Sequence, residues 1–134
     1  MSDTVYWIWL SGCLGAGSKS LHYVLDRYSS PYEVYRAESD ELERLELSES
    51  VIEKLCAKDM REAYAINDYC AENRIGILTY ENEYYPSRLR QISDPPAVLY
   101  FKGKLPDFDS HLTLAMVGTR KMSEYGMKTA YKIS

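Results

Sequence analysis

Residues 112–123 read Leu112-Thr113-Leu114-Ala115-Met116-Val117-Gly118-Thr119-Arg120-Lys121-Met122-Ser123, and the fold class turns on how they are interpreted. The run from Leu112 to Val117 is apolar at all but one position. That suits a short strand covered on both faces. Gly118 follows at once, and Ser123 is placed to open a helix with Met127, Ala130, Tyr131 and Ser134 on one stripe. A strand, a glycine turn and a helix in succession make the unit of an α/β fold. At such a junction the first helical N–H groups lack intrahelical partners and point outward with the positive end of the helix dipole. Thr119 and Ser123 add hydroxyls, and Arg120 and Lys121 add full charges. The guanidinium is a planar fork that suits phosphate. An anion, a phosphate, is expected there, at the strand end where open α/β sheets keep their ligands. The competing reading is that Gly118 only turns the chain and Arg120 faces solvent. Neither G-x-G-x-x-G nor G-x-x-x-x-G-K-[ST] is present, so dinucleotide and P-loop sites lack their diagnostic residues.

Upstream, Ile75–Tyr80 reads as a short buried strand and Val98–Phe101 as a second, closed by Lys102-Gly103. Between them Pro86 starts a brief helix over Ser87–Ile92, and Asp94-Pro95-Pro96 makes a turn. Asp59 opens a longer helix to about Asn73, with Ala63, Ile66 and Cys70 on one side. Residues 1–57 are a cluster of short helices. Val5–Gly12 is apolar, Ser18 is placed to cap a second helix, and Pro31 and Asp40 lead short helical turns. Ser48 or Ser50 starts a further helix, Ser50-x-x-Glu53 having the capping-box form. The sequence ends inside the last helix, and a parallel sheet needs further crossovers. The chain is therefore expected to be the N-terminal part of a longer protein.

Charge is unevenly spread. Residues 1–70 carry 7 basic and 13 acidic side chains and residues 71–134 carry 9 and 7, within a net charge of −4. That excludes a polybasic protein whose whole surface attracts nucleic acid, and points to the second half for any anion site. Cys13, Cys56 and Cys70 include no C-x-x-C pair, and with His22 and His111 they offer no zinc-ligand spacing. A reducing cytoplasm is the expected home, with the thiols as small buried hydrophobes. Leu10-Ser11-Gly12-Cys13 imitates a lipoprotein cleavage site, but Met1–Thr4 has no basic residue and Val5–Leu10 is too short for a signal. No run approaches the ~20 apolar residues of a membrane span.

Leu14-Gly15-Ala16-Gly17-Ser18 between two helices resembles the hairpins of helix-hairpin-helix and SAM-like modules, which hold DNA backbone through N–H groups. Only Lys19 and Arg27 are basic nearby, so structural or protein-docking use stays open beside DNA contact. Asp3, Asp26, Asp40, Glu41, Glu43, Glu46, Glu49 and Glu53 read as a solvated acidic face or as a dock for a basic partner. Trp7 and Trp9 read as core. Tyr84 and Tyr85 are either platforms for bases or packing against Pro86. No Ser/His/acid set is discernible.

Tyr85-Pro86-Ser87-Arg88-Leu89, Ile92-Ser93-Asp94-Pro95-Pro96-Ala97-Val98-Leu99-Tyr100-Phe101-Lys102-Gly103, then Ala115–Arg120 and Ser123-x-Tyr125-Gly126, form an ordered string. In that order they resemble the DprA/Smf family of DNA-processing proteins. The resemblance implies an α/β chain with a helical SAM-like domain over 1–57 and the start of an extended Rossmann-like domain over 58–134. It implies single-stranded DNA binding and loading of the recombinase RecA during natural transformation, with no catalysis, metal or cofactor. The family's Gly-Ser-Arg turn maps onto Gly118, Thr119 and Arg120, Thr keeping the hydroxyl. Ser123, Tyr125 and Gly126 match the rest, with Lys121 between. The family's later glycine-rich segment and its dimer and RecA contacts are expected beyond Ser134. Two other classes compete. One is a Rossmann-like enzyme hydrolysing a nucleoside monophosphate, with Glu124 the acid beside the turn; the other is a helical protein-interaction module.

Overall fold

The computed structural model describes residues 3–15 and 19–134. Among these described residues, eight helices and two strands follow in the order α1 (Thr4–Leu14), α2 (Ser20–Leu25), α3 (Pro31–Arg36), α4 (Ser39–Leu42), α5 (Glu49–Ala57), α6 (Arg61–Glu72), β1 (Ile75–Thr79), α7 (Ser87–Arg90), β2 (Val98–Lys102) and α8 (Glu124–Ile133). The class is mixed α/β, as the sequence indicates.

Helix α1 is apolar around its whole circumference, and Val5, Trp7, Ile8, Trp9, Leu10, Cys13 and Leu14 are all buried. A helix of that kind has to be covered on every side. Helices α3, α5 and α6 and both strands pack against it. Local chemistry starts the covering helices. The Ser30 hydroxyl accepts from Glu33 N at 3.3 Å, with Pro31 in the first position of α3. Asp59 accepts from Arg61 N at 3.0 Å to open α6. Ser48 occupies the cap position of α5, and Ser50 lies inside that helix, so the capping-box alternative is not the start used. Ala16, Gly17 and Ser18, which carry the proposed hairpin and cap, lie outside the described residues; Gly15 before them has φ 81°.

Strands β1 and β2 pair antiparallel, from Ile75 opposite Lys102 to Thr79 opposite Val98. Gly76 faces Phe101, whose ring lies over the glycine: a Cβ built there would sit 2.2 Å from the ring. The connection between the strands winds around Tyr85. Its ring is buried and its hydroxyl donates to Pro96 O at 2.7 Å. The Arg90 guanidinium donates to Tyr80 O at 3.0 and 3.2 Å and to Asn82 O at 2.9 Å, and stands over the rings of Tyr80 and Tyr85. Trp7 Nε1 donates to Glu81 at 3.0 Å, which fastens the connection to α1.

The third strand expected over Leu112–Val117 is not formed. The segment has no regular structure, and Leu112 and Val117 are each 96% exposed. A strand exists only as a member of a ladder. Among the described residues β1 and β2 pair with each other, and no strand lies beside 112–117. Among those residues, too, no helix is long and apolar enough to cross a membrane.

Two outcomes follow from this packing. Gly76→Ala should cost about 1–3 kcal/mol through overpacking against Phe101, with part recovered in the Gly76→Ala/Phe101→Ala double variant; urea midpoints check both. Alkali should also destabilise the fold. Burial pushes the Tyr85 hydroxyl up to about 12, Tyr80 adding to the rise and Arg90 opposing it. Burial likewise pushes the Cys13 thiol up to about 11, against the pull of Lys54. Both groups hold their protons more tightly folded than unfolded. Their contribution is therefore complete below the unfolded values of 9.0 for Cys13 and 10.0 for Tyr85, and is lost as pH rises through about 11 and about 12. A pH series of urea melts should show that decline flattened in Tyr85→Phe.

Candidate nucleic-acid interface

The seven expected site residues fall on one stretch: the loop before α8 and the first turn of that helix. Ser123 is the cap. Its backbone is extended and its hydroxyl accepts from Gly126 N at 3.1 Å. The Thr119 hydroxyl donates to Lys121 O at 2.7 Å, bending the loop locally. Gly118 has open space where a Cβ would stand. Arg120 and Lys121 are exposed, and neither forms an ion pair with any described residue.

The structure brings together Thr119 with Lys121 and Ser123 with Gly126. It does not supply the strand that was expected to aim the turn, so the site is a helix N-terminus with a cationic loop rather than a strand-turn-helix corner. The amides of Glu124 and Tyr125 make no backbone hydrogen bond upstream, as helix starts leave them. Glu124 pairs with Lys128 at 2.7 Å, both largely exposed. That places the candidate hydrolytic acid in a solvated ion pair. Tyr125 is 80% exposed, a free aromatic face beside the cations.

The path into this loop is tethered by residues that sequence reasoning passed over. Asp109 accepts from Ser87 N at 3.1 and 3.2 Å and from Ser87 Oγ at 2.8 Å, a carboxylate on the first turn of α7. Arg88 donates to the Thr113 hydroxyl at 3.2 Å. Asp107 to Ser110 reads only as a loop, and no spacing signals a partner 22 residues away. Of the two candidate platforms, Tyr85 is buried and spent on Pro96, while Tyr84 is exposed. Among the described residues no three His, Cys, Asp or Glu side chains converge as a metal site would require.

These features define a mixed α/β protein with an exposed cationic loop at a helix N-terminus. Residues 76–134, which include every residue of that site, match the family described as DNA recombination-mediator protein A. The chain is 37% identical over 84 residues to Protein Smf of Borreliella burgdorferi, covering 63% of this chain and 21% of the relative. Over residues 76–134 the chain is similar to the DprA/Smf family. It spans about a fifth of the length of that curated relative. No solved structure matches it.

Replacing Ser123 with Ala should cost α8 about 1 kcal/mol of local stability. Faster hydrogen exchange at the Gly126 amide would report it. The global urea midpoint should hardly move, because α8 buries no side chain.

Proposed function

We propose that this chain belongs to a protein that binds single-stranded DNA and mediates its recombination, with the phosphate backbone held at Gly118, Thr119, Arg120, Lys121, Ser123, Tyr125 and Gly126. The observation that carries this reading is the pair of exposed cations immediately before the N-terminus of α8, unpaired among the described residues. The similarity of residues 76–134 to a family described as DNA recombination-mediator protein A supports it. In this reading Arg120 and Lys121 neutralise phosphate, and the amides of Glu124 and Tyr125 meet an oxyanion with the positive end of the dipole. The Ser123 hydroxyl, already accepting from Gly126 N, keeps its own proton to donate. The Tyr125 ring offers a base a stacking face. Lys128 neutralises Glu124, the carboxylate that would otherwise repel the strand.

The finer architecture belongs to the same proposal: a SAM-like helical domain over residues 1–57 and a Rossmann-like domain opening at residue 58. The protein acts by binding rather than catalysis, in the cytoplasm. Its DNA is handed to RecA during natural transformation, and it dimerises through segments other than these residues.

The test is Arg120→Ala in the protein at full length, titrated with labelled oligo-dT across a salt series. Affinity should fall, and the slope of log K against log salt should flatten by about 0.7, one phosphate contact on a single strand. Unchanged affinity with unchanged slope removes Arg120 from the site.

A further inference from the structure

A second surface carries the opposite charge. Between α5 and the turn that precedes it lies a groove of about 450 Å³, lined by Leu45, Leu47, Ile52 and Cys56 with Glu43, Glu49 and Glu53. Leu45 is buried and closes the bottom, while Leu47, Ile52 and Cys56 are left half-buried. Glu49, Ile52, Glu53 and Cys56 stand at i, i+3, i+4 and i+7, so one face of α5 supplies both floor and rim. Leu55, on the other side of that helix, is fully buried in the core. Among the described residues no cation lines the groove. Lys54, the basic residue of α5, lines the separate cleft beside α1 and α6. None of the three carboxylates forms an ion pair with any described residue.

We propose that this groove docks a basic amphipathic segment of a partner protein, one apolar side chain entering between Leu47 and Ile52 while flanking Lys or Arg side chains meet Glu43, Glu49 and Glu53. Charge complementarity selects this occupant. Two glutamates four residues apart on one helix repel each other, and a cation lying between them relieves that repulsion. An apolar floor with a charged rim is the arrangement by which grooves receive amphipathic helices. A phosphate backbone is excluded by the same three charges, so the groove is independent of the cationic loop before α8.

The test uses the intact 134-residue chain and a fluorescein-labelled, acetylated and amidated Leu/Lys amphipathic helix as probe. Anisotropy should show saturable binding that weakens with salt. Glu49→Gln/Glu53→Gln should weaken it about five-fold or more at low ionic strength. Asp68→Asn/Glu72→Gln, an equal loss of exposed charge on α6, should change it less than about two-fold. Ile52→Ser should weaken binding without altering its salt slope. Both charge variants alter exposed side chains only, so the comparison stands even if Ile52→Ser unfolds. Absence of binding, or equal loss from the two charge pairs, overturns the proposal. So does self-association of the chain that Glu49→Gln/Glu53→Gln abolishes, which would make the occupant a second copy.

Discussion

An eleven-residue helix with no polar side is the constraint on which the structure depends. Seven of the eleven residues of α1 are buried, including both tryptophans. Exposing such a helix to water would cost about 1.5–3 kcal/mol for each large apolar side chain. The surrounding helices are too short to be stable alone, since isolated helices below ~12–15 residues are marginal in water. They persist because each contributes a few apolar residues to covering α1: Val34 from α3, Leu55 from α5 and Ala63 from α6 all belong to the same core. The strands join it as well, through Val98.

The connection between β1 and β2, whose one regular element is the short α7, is held by side chains that bond to its backbone. Buried backbone carbonyls need donors. Arg90 donates to the half-buried Tyr80 carbonyl and to that of exposed Asn82, and Tyr85 to the half-buried Pro96 carbonyl. The guanidinium also lies over two aromatic rings, a stacking geometry that lysine would not reproduce. The string of Tyr, Pro, Arg and paired Pro residues that carries the family resemblance is thus explained here by packing and hydrogen bonding. Tyr85 in particular has no surface left with which to meet a base.

What was legible in the sequence followed from local rules. The helices opened by Pro31, Ser48 and Asp59 start at the positions those residues indicate, with side-chain bonds from Ser30 and Asp59, and β1 and β2 stand where short apolar runs end at turn residues. Leu112–Val117 was misread because apolar composition indicates that a segment would be buried if it had neighbours, and says nothing about whether those neighbours are present. For the site, the residues were legible and the geometry was not. Ser123 capping Gly126 follows from a local pattern, whereas the tether from Asp109 to Ser87 joins residues whose pairing depends on where β2 lets the chain go.

Charge placement gives the two candidate surfaces their separate chemistry. At physiological salt the Debye length is about 8 Å, so an exposed charge acts on its immediate surroundings and little beyond. The net charge of −4 therefore does not decide what the loop before α8 attracts. The charges that matter there are Arg120 and Lys121, together with a Glu124 already neutralised by Lys128. On α5 the reverse holds: Glu49 and Glu53 form no ion pair among the described residues, and their field is left for an outside cation. A protein with an overall acidic balance can in this way hold an anion at one place and a cationic segment at another. Each site is set by which nearby charges are paired, rather than by the total.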